Sequence, residues 1–381
     1  MAQQRFEVGR AVTPFGVVQI AVITARDGFI TSVDWTDEVT GEFAGLWAVP
    51  GFVDTHCHGA DGVSFGDPDL NANRHAIDFH CRHGTTSLFA STVTEPVAVL
   101  LERLAVLRPL VRAGELRGIH LEGPFLAEEK KGAHDAELLC DPEPGAVAAL
   151  LEAGGEALKM ITMAPERTHA AQAAKRFTKA GVKVAFGHSA ATESQTREAL
   201  DGGVDVATHL FNAMNPIHHR EPGPVPVLLT DERCLVELIC DGVHLQPVIA
   251  KMAIEAAGPK RVAMVTDAMS ATGKGDGRYV LGELDVVVSR GVARLATEDG
   301  SAGNIAGSTL TMAGAFSYLV QQVGCSIEEA ATMCATTPAR WHGLGDVGEL
   351  VPGKRADICM VDAEGNLRAV IKEGQGLVTQ V

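Results

Sequence analysis

The sequence predicts an α/β fold: a (β/α)8 TIM-like barrel with a small β-sandwich domain built from both chain ends. Three observations predict it. Between residues 47 and 266, short apolar runs alternate with amphipathic stretches, and successive runs lie about 20 to 45 residues apart, the size of a βα unit. Eight such runs can be drawn, and eight parallel βα units close naturally into a barrel. The chain is rich in glycine (41 residues) and poor in aromatics (5%), which suits many short strands and turns better than a helical bundle.

The elements follow in order. Residues 1 to 48 read as β-rich, with strands at 17–23 and 28–33 separated by turn residues. The barrel strands are expected at 47–54, 86–91, 117–121, 159–163, 183–186, 205–208, 235–240 and 261–266. Amphipathic helices are expected between them, among others at 165–180, 192–201 and 246–257. After the eighth strand the pattern loosens into a β excursion at 279–295 and helices at 309–323 and 326–335. The tail from 353 to 361 reads as a turn and a strand that returns to pair with the N-terminal strands. The expected division is residues 1–48 with 345–381 as the small β domain and 49–344 as the barrel.

Composition excludes some functions. A formal charge of −16 argues against nucleic acid and against anionic membranes as partners. An anionic substrate would need a local basic pocket working against that global field. The eight cysteines include no C-x-x-C pair and read as reduced, buried thiols. The first ten residues are polar, and no apolar run reaches the roughly 18 residues of a membrane span. A soluble, cytoplasmic protein is expected.

Barrel enzymes build their sites at the C-terminal ends of the strands. There the sequence places His56-Cys57-His58 after strand one and Glu122 after strand three. His188, His209, His244 and Asp267 follow at the ends of strands five, six, seven and eight. Imidazole with carboxylate is the ligand chemistry of zinc and related divalent ions. Residues i and i+2 of a strand face the same side, so His56 and His58 can grip one ion while Cys57 faces the wall. A carboxylate at the end of strand eight can take a proton from an activated water and pass it to a leaving amine.

Bland readings stand beside these. A single strand-end histidine is commonly a satisfied hydrogen-bonding residue; it is the convergence that favours a metal site. His75, His80 and His83 read as surface or packing residues on the helix after strand one, and His120 as a side chain packed inside the barrel. His342 has no strand-end context, and His218-His219-Arg220 reads on its own as a solvated loop.

The stretch from Pro50 to Gly59, Pro-Gly-Phe-Val-Asp-Thr-His-Cys-His-Gly, resembles the first-strand signature of the amidohydrolase superfamily. Within it, several motifs resemble the N-acetylglucosamine-6-phosphate deacetylase family. They include His120-Leu121-Glu122-Gly123-Pro124-Phe125, Lys131-Gly132-Ala133-His134 and Gly187-His188-Ser189. Further along stand Thr208-His209-Leu210-Phe211-Asn212-Ala213-Met214, Asp241-Gly242-Val243-His244 and Ala306-Gly307-Ser308-Thr309-Leu310. The likeness runs from about residue 45 to the C-terminus.

The resemblance implies hydrolysis of N-acetyl-D-glucosamine 6-phosphate. It implies that Glu122, His188 and His209 hold a principal divalent metal, with His56 and His58 helping to hold a second and Glu122 bridging. One or two ions per subunit are expected, zinc first, with iron, manganese, cobalt or cadmium also suited. Asp267 is counted with the metal ligands and is the expected general base and then acid. His134 is expected to polarise the acetyl carbonyl and His244 to hydrogen-bond the sugar. Asn212, the backbone of Ala213 and Arg220 are expected at the phosphate, and Ile305 beside the substrate. In the family that arginine reaches a neighbouring subunit's site, so a homodimer is implied. Some members replace the His-x-His pair and use one metal; this chain keeps both histidines.

Rival readings stand beside this one, among them a deaminase of the same fold, which lacks support from the Phe211-Asn212-Ala213-Met214 motif. A dihydroorotase or hydantoinase carries a carboxylated lysine at the end of strand four, where this chain has Met163-Ala164-Pro165 and its only strand lysine, Lys159, stands at the other end. N-acetylgalactosamine 6-phosphate differs from the expected substrate at one hydroxyl. A non-catalytic metal-binding barrel has no reason to keep Asp267 beside a complete ligand set.

Overall fold

The computed structural model describes residues 3–297, 299 and 301–377. Its central element is an eight-stranded parallel sheet in which chain order and spatial order coincide. The strands are Phe52–Asp54, Thr85–Thr92, Gly118–Glu122, Leu158–Met163, Lys183–Phe186, Val206–Ala207, Leu235–Leu238 and Val262–Met264. The first and eighth strands meet at their C-terminal ends, where Asp267 N–H donates to the His56 carbonyl (2.8 Å) and His58 N–H to the Ala268 carbonyl (2.8 Å). The barrel is therefore sealed at the rim that carries the predicted chemistry.

The period-two pleat sorts the strand residues into layers. Met160, Ala185, Val206, Leu235 and Ala263, one from each of five neighbouring strands, form an apolar floor inside the barrel against Trp341. Closer to the C-terminal rim, polar side chains enter the interior. His120 bonds Ser91 Oγ through Nδ1 (2.9 Å) and Thr162 Oγ1 through Nε2 (2.8 Å), and Thr162 bonds Thr208 (2.8 Å). His120 thus packs inside the barrel, as expected. The alternate residues, including Leu121, Ile161, Val184, Phe186 and Leu238, face outward into the main core under the helices.

Those helices carry one apolar stripe each. Ala170–Lys179 buries Ala170, Ala173, Ala174 and Phe177, positions spaced three and four apart. Glu193–Asp201 begins with a capping box between Thr192 and Gln195. Among the described residues, no helix is long and apolar enough to cross a membrane.

A seven-stranded sheet joins both chain ends. Its order is Gln375–Leu377, Leu367–Lys372, Ile358–Val361, Trp47–Pro50, Gln4–Thr13, Gly16–Arg26, Phe29–Trp35. It curls so that Ile30 N–H reaches the Lys354 carbonyl and Ala356 N–H the Gly28 carbonyl (2.8 Å each). Val8, Ile23, Ile30, Ile358, Met360 and Ile371 fill the sandwich core so enclosed. The run expected as one strand at 47–54 is two. Trp47–Pro50 belongs to this sheet and Phe52–Asp54 to the barrel, with Gly51 at the crossing. The tail strand Ile358–Val361 pairs with Trp47–Pro50, which in turn pairs with Gln4–Thr13.

The β excursion is a three-stranded antiparallel sheet, Gly277–Leu281, Leu284–Ser289 and Val292–Leu295. Val286, Val288 and Ala293 on one of its faces pack with Met269 and Ala306 near the barrel rim.

Candidate metal centre and active site

Three of the six predicted ligands leave their strands through a sharp turn. His188, His209 and Asp267 adopt positive φ angles of 47°, 27° and 50°. Such backbone is costly for these residues and clusters where a side chain must be aimed rather than merely packed.

The aim is convergent. Glu122 Oε1 stands 3.2 Å from His188 Nε2 and 3.1 Å from His209 Nε2, and those two nitrogens are 3.1 Å apart. On the other side, Glu122 Oε2 lies 3.2 Å from His58 Nε2, and His56 Nε2 lies 3.2 Å from His58 Nε2. Asp267 Oδ1 sits 3.1 Å from His58 Nε2 and 3.6 Å from His56 Nε2. Ligand bonds of about 2.0–2.2 Å in tetrahedral array put neighbouring donor atoms about 3.3–3.6 Å apart. The observed spacings match that polyhedron closely, and all six residues are buried. The donor set therefore fits a divalent cation, with Glu122 common to two groups.

Neighbouring groups fix the ring faces. His188 Nδ1–H donates to the Lys130 carbonyl (2.8 Å), which leaves Nε2 free to ligate. His56 Nδ1 faces Glu237 Oε2 at 3.4 Å. Asp54 accepts from Thr266 Oγ1 (2.6 Å) and from the N–H of His56 (3.2 Å), bracing the seam that carries both His56 and Asp267. Burial lifts the Asp54 carboxyl to about 7, against those hydrogen bonds. Glu237, Asp54 and the Lys130 carbonyl were not foreseen. The polar Glu237 in an otherwise apolar strand was the one signal available.

Burial pushes the Asp267 carboxyl up, but the His56 charge and the His58 hydrogen bond outweigh it and hold it at about 2. Burial likewise opposes ionisation of Glu122, yet His56 and the surrounding imidazoles keep its carboxyl well below the usual range. Both groups are carboxylates at neutral pH.

His134 lies 3.5 Å from Glu122 Oε2 and could be taken for another ligand. Its Nδ1 accepts the N–H of Thr94 (3.3 Å), which places the ring proton on Nε2. Burial depresses its titration to about 4, so the ring is neutral and Nε2–H faces the centre as a donor. His244 differs. Its Nδ1 bonds Asp241 Oδ2 at 2.7 Å, and this contact outweighs burial and raises its proton affinity. Asp241, held by the N–H groups of Val243 and His244 (2.8 Å each), was quoted in its motif but not singled out.

These residues open into a cavity of about 560 Å³ lined by His58, Glu122, His134, His188, His209, Asn212, Ala213, His244, Asp267 and Ile305. Lys130, Arg294 and Asn304 also line it and were not predicted. Asn212 Nδ2 is directed to the carbonyls of His209 (3.1 Å) and Leu210 (3.4 Å), bracing the turn that presents Ala213. Arg220 lies outside this cavity, exposed, with Nη1 against His219 Nε2 at 2.7 Å. His80 is buried against Cys57 Sγ (3.1 Å) and the Gly59 carbonyl (3.0 Å), a packing residue, while His75 pairs with Asp61 at the surface.

Comparison with known proteins agrees with this geometry. The model of the Amidohydrolase family matches residues 47–377. An N-acetylgalactosamine-6-phosphate deacetylase of Escherichia coli O157:H7 is 35% identical, over 96% of this chain and 97% of the relative. An N-acetylglucosamine-6-phosphate deacetylase of Lysinibacillus sphaericus is 33% identical, over 88% of this chain and 86% of the relative. Among solved structures, a mutant N-acetyl-D-glucosamine-6-phosphate deacetylase of Mycobacterium smegmatis in complex with N-acetyl-D-glucosamine-6-phosphate superposes with a TM-score of 0.94. It is 39% identical, and the match covers 100% of both chains.

Proposed function

The chain belongs to the amidohydrolase family, and from that premise we propose that it hydrolyses N-acetyl-D-glucosamine 6-phosphate to D-glucosamine 6-phosphate and acetate. The observation that carries the reading is the convergence of His188 and His209 on one oxygen of Glu122 and of His58 on the other, with Asp267 beside them, in a cavity large enough for a sugar phosphate.

Glu122, His188 and His209 would hold a principal ion, and His56 and His58 a second with Glu122 between them. A divalent ion there supplies Lewis-acid polarisation and makes water a better nucleophile at neutral pH. Zinc is the expected ion; iron, manganese, cobalt or cadmium suit the same donors. The Asp267 carboxylate accepts a proton from the attacking water and returns it to the departing amine nitrogen. The neutral His134 donates Nε2–H to the acetyl oxygen as negative charge develops on it. The His244 imidazole, oriented by Asp241, hydrogen-bonds the sugar, and Ile305 packs beside it. Asn212 and the Ala213 N–H bind the phosphate. Arg220, a fork-shaped donor suited to phosphate, serves the neighbouring subunit of a homodimer. The free cysteines, most of them buried, suit a reducing compartment, and we place the protein in the cytoplasm.

N-acetyl-D-galactosamine 6-phosphate is a second substrate reading, favoured by the relative from Escherichia coli. The test is acetate release from both epimers by enzyme as isolated, after chelation, and after add-back of single divalent metals. Activity lost and restored with the gluco epimer preferred supports the proposal. Preference for the galacto epimer reassigns the substrate, and no turnover of either sugar overturns the reading.

A further inference from the structure

We infer that Arg278, Arg290 and Arg294 form a second anion-binding site, on the three-stranded sheet beside the substrate cavity, that receives the phosphate of the incoming sugar before it enters. The inference deepens the proposed function and rests on it for the identity of the anion.

The register places the groups. Arg278 pairs with Val287, and Val287 pairs with Arg294, so the three side chains stand in one row on one face of the sheet. Val286 and Val288 point to the other face, into the core. Arg290 sits in the turn between the second and third strands, at a φ of 52°. Its N–H and that of Gly291 are held by the Asp276 carboxylate (2.7 and 3.0 Å), which spends that acid on the turn.

All three arginines line a groove of about 690 Å³, and among its described lining residues there is no carboxylate. Asp285 lies two residues from Val287 on the same strand and is not in the lining. Arg294, Ala302 and Gly303 line both this groove and the substrate cavity, so the two spaces share a sill. Arg294 is pinned there by its bond from Nη1 to the Gly303 carbonyl (3.0 Å).

The chain as a whole carries −16 and repels a phosphate dianion at long range. Three guanidinium groups clustered at the mouth invert that field locally, where approach matters. Fixed cations beside a cleft raise the encounter rate of an anion, and salt screens the effect.

The experiment compares metal-loaded wild type with Arg278→Ala, Arg278→Lys and the double variant Arg278→Ala/Arg290→Ala. Steady-state kinetics with N-acetylglucosamine 6-phosphate and with unphosphorylated N-acetylglucosamine are run at low and high ionic strength. Binding of inorganic phosphate is measured by 31P NMR in parallel. The expected result is a fall of about fivefold or more in kcat/KM for the phosphorylated sugar at low salt, a smaller effect on the neutral sugar, and recovery in Arg278→Lys. At high salt the gap should shrink to about twofold or less. Phosphate affinity should fall in the alanine variants. If wild type turns over the sugar phosphate and the variants match it at both ionic strengths, the groove is not a capture site although the function stands. If wild type turns over neither sugar, the functional reading fails, and the phosphate titration alone decides the groove: equal affinity in wild type and the double variant overturns it.

Discussion

Asp267 holds an ordinary side chain at a φ of 50°, a conformation that costs about 1–2 kcal/mol for a residue other than glycine. The cost is tolerated because Asp267 N–H and Ser308 N–H lock the turn, the first to the His56 carbonyl (2.8 Å) and the second to the Asp267 carbonyl (2.7 Å). An asparagine fits the same turn but cannot carry the proton. Asp267→Asn should therefore fold and keep its metal while kcat falls by about 10²–10⁴. Kinetics with metal analysis check this, and near-normal turnover would remove Asp267 from the proton path. His244 offers a pH test. Burial lowers its proton affinity, but the Asp241 contact more than compensates, so the pair's stabilisation is full at acidic pH and fades as pH rises through the raised value. In Asp241→Asn burial acts unopposed by that contact. The His244 titration, followed by NMR, should move to lower pH, and an unmoved titration would show that Asp241 does not set it.

At the scale of the element, Gly51 is where one extended run changes sheets. Pro50 pairs with Ile358 in the end sheet, and Phe52 pairs with Thr85 in the barrel. A Cβ on Gly51 would stand 2.2 Å from Thr86 Oγ1. Gly51→Ala should cost about 1–3 kcal/mol, read as a lowered denaturation midpoint, because the buried Thr86 side chain must shift to admit it. An unchanged midpoint would mean the crossing has slack. The sequence signal at the switch is the Pro50-Gly51 pair, a turn-type dipeptide inside an otherwise apolar run, which the one-strand reading passed over. The loop after strand three carried no such signal. That the Lys130 carbonyl would orient His188 depends on backbone positions 58 residues apart, and a lysine's side chain says nothing about where its carbonyl points.

For the whole molecule, Arg220 is where the proposed homodimer can be tested. It is exposed and away from this chain's cavity. Arg220→Ala should raise KM for the phosphorylated sugar about tenfold or more, since a hydrogen bond to a charged group contributes about 1.5–3 kcal/mol. Mixing it with Asp267→Asn after co-refolding supplies an intact Asp267 with an Arg220 from the other chain. Tight-binding activity should reappear in the mixture. Failure to recover would place Arg220 in its own subunit's site or in none.

The strand ends alone placed the candidate residues in their order: His56 and His58, then Glu122, His188, His209, His244 and Asp267; which of them are expected to hold metal came from the resemblance. The placement was legible because a β-strand's period of two and a barrel's single catalytic rim convert sequence position into spatial side. The motifs around them carried the family. What only the tertiary structure decided are contacts between segments distant in sequence. They include Glu237 behind His56, the neutral tautomer of His134 set by Thr94, and the row of Arg278, Val287 and Arg294 across three strands. Periodicity fixes which way a side chain faces along its own element. Which atom waits on the other side depends on register and closure, and those are settled only when the strands meet.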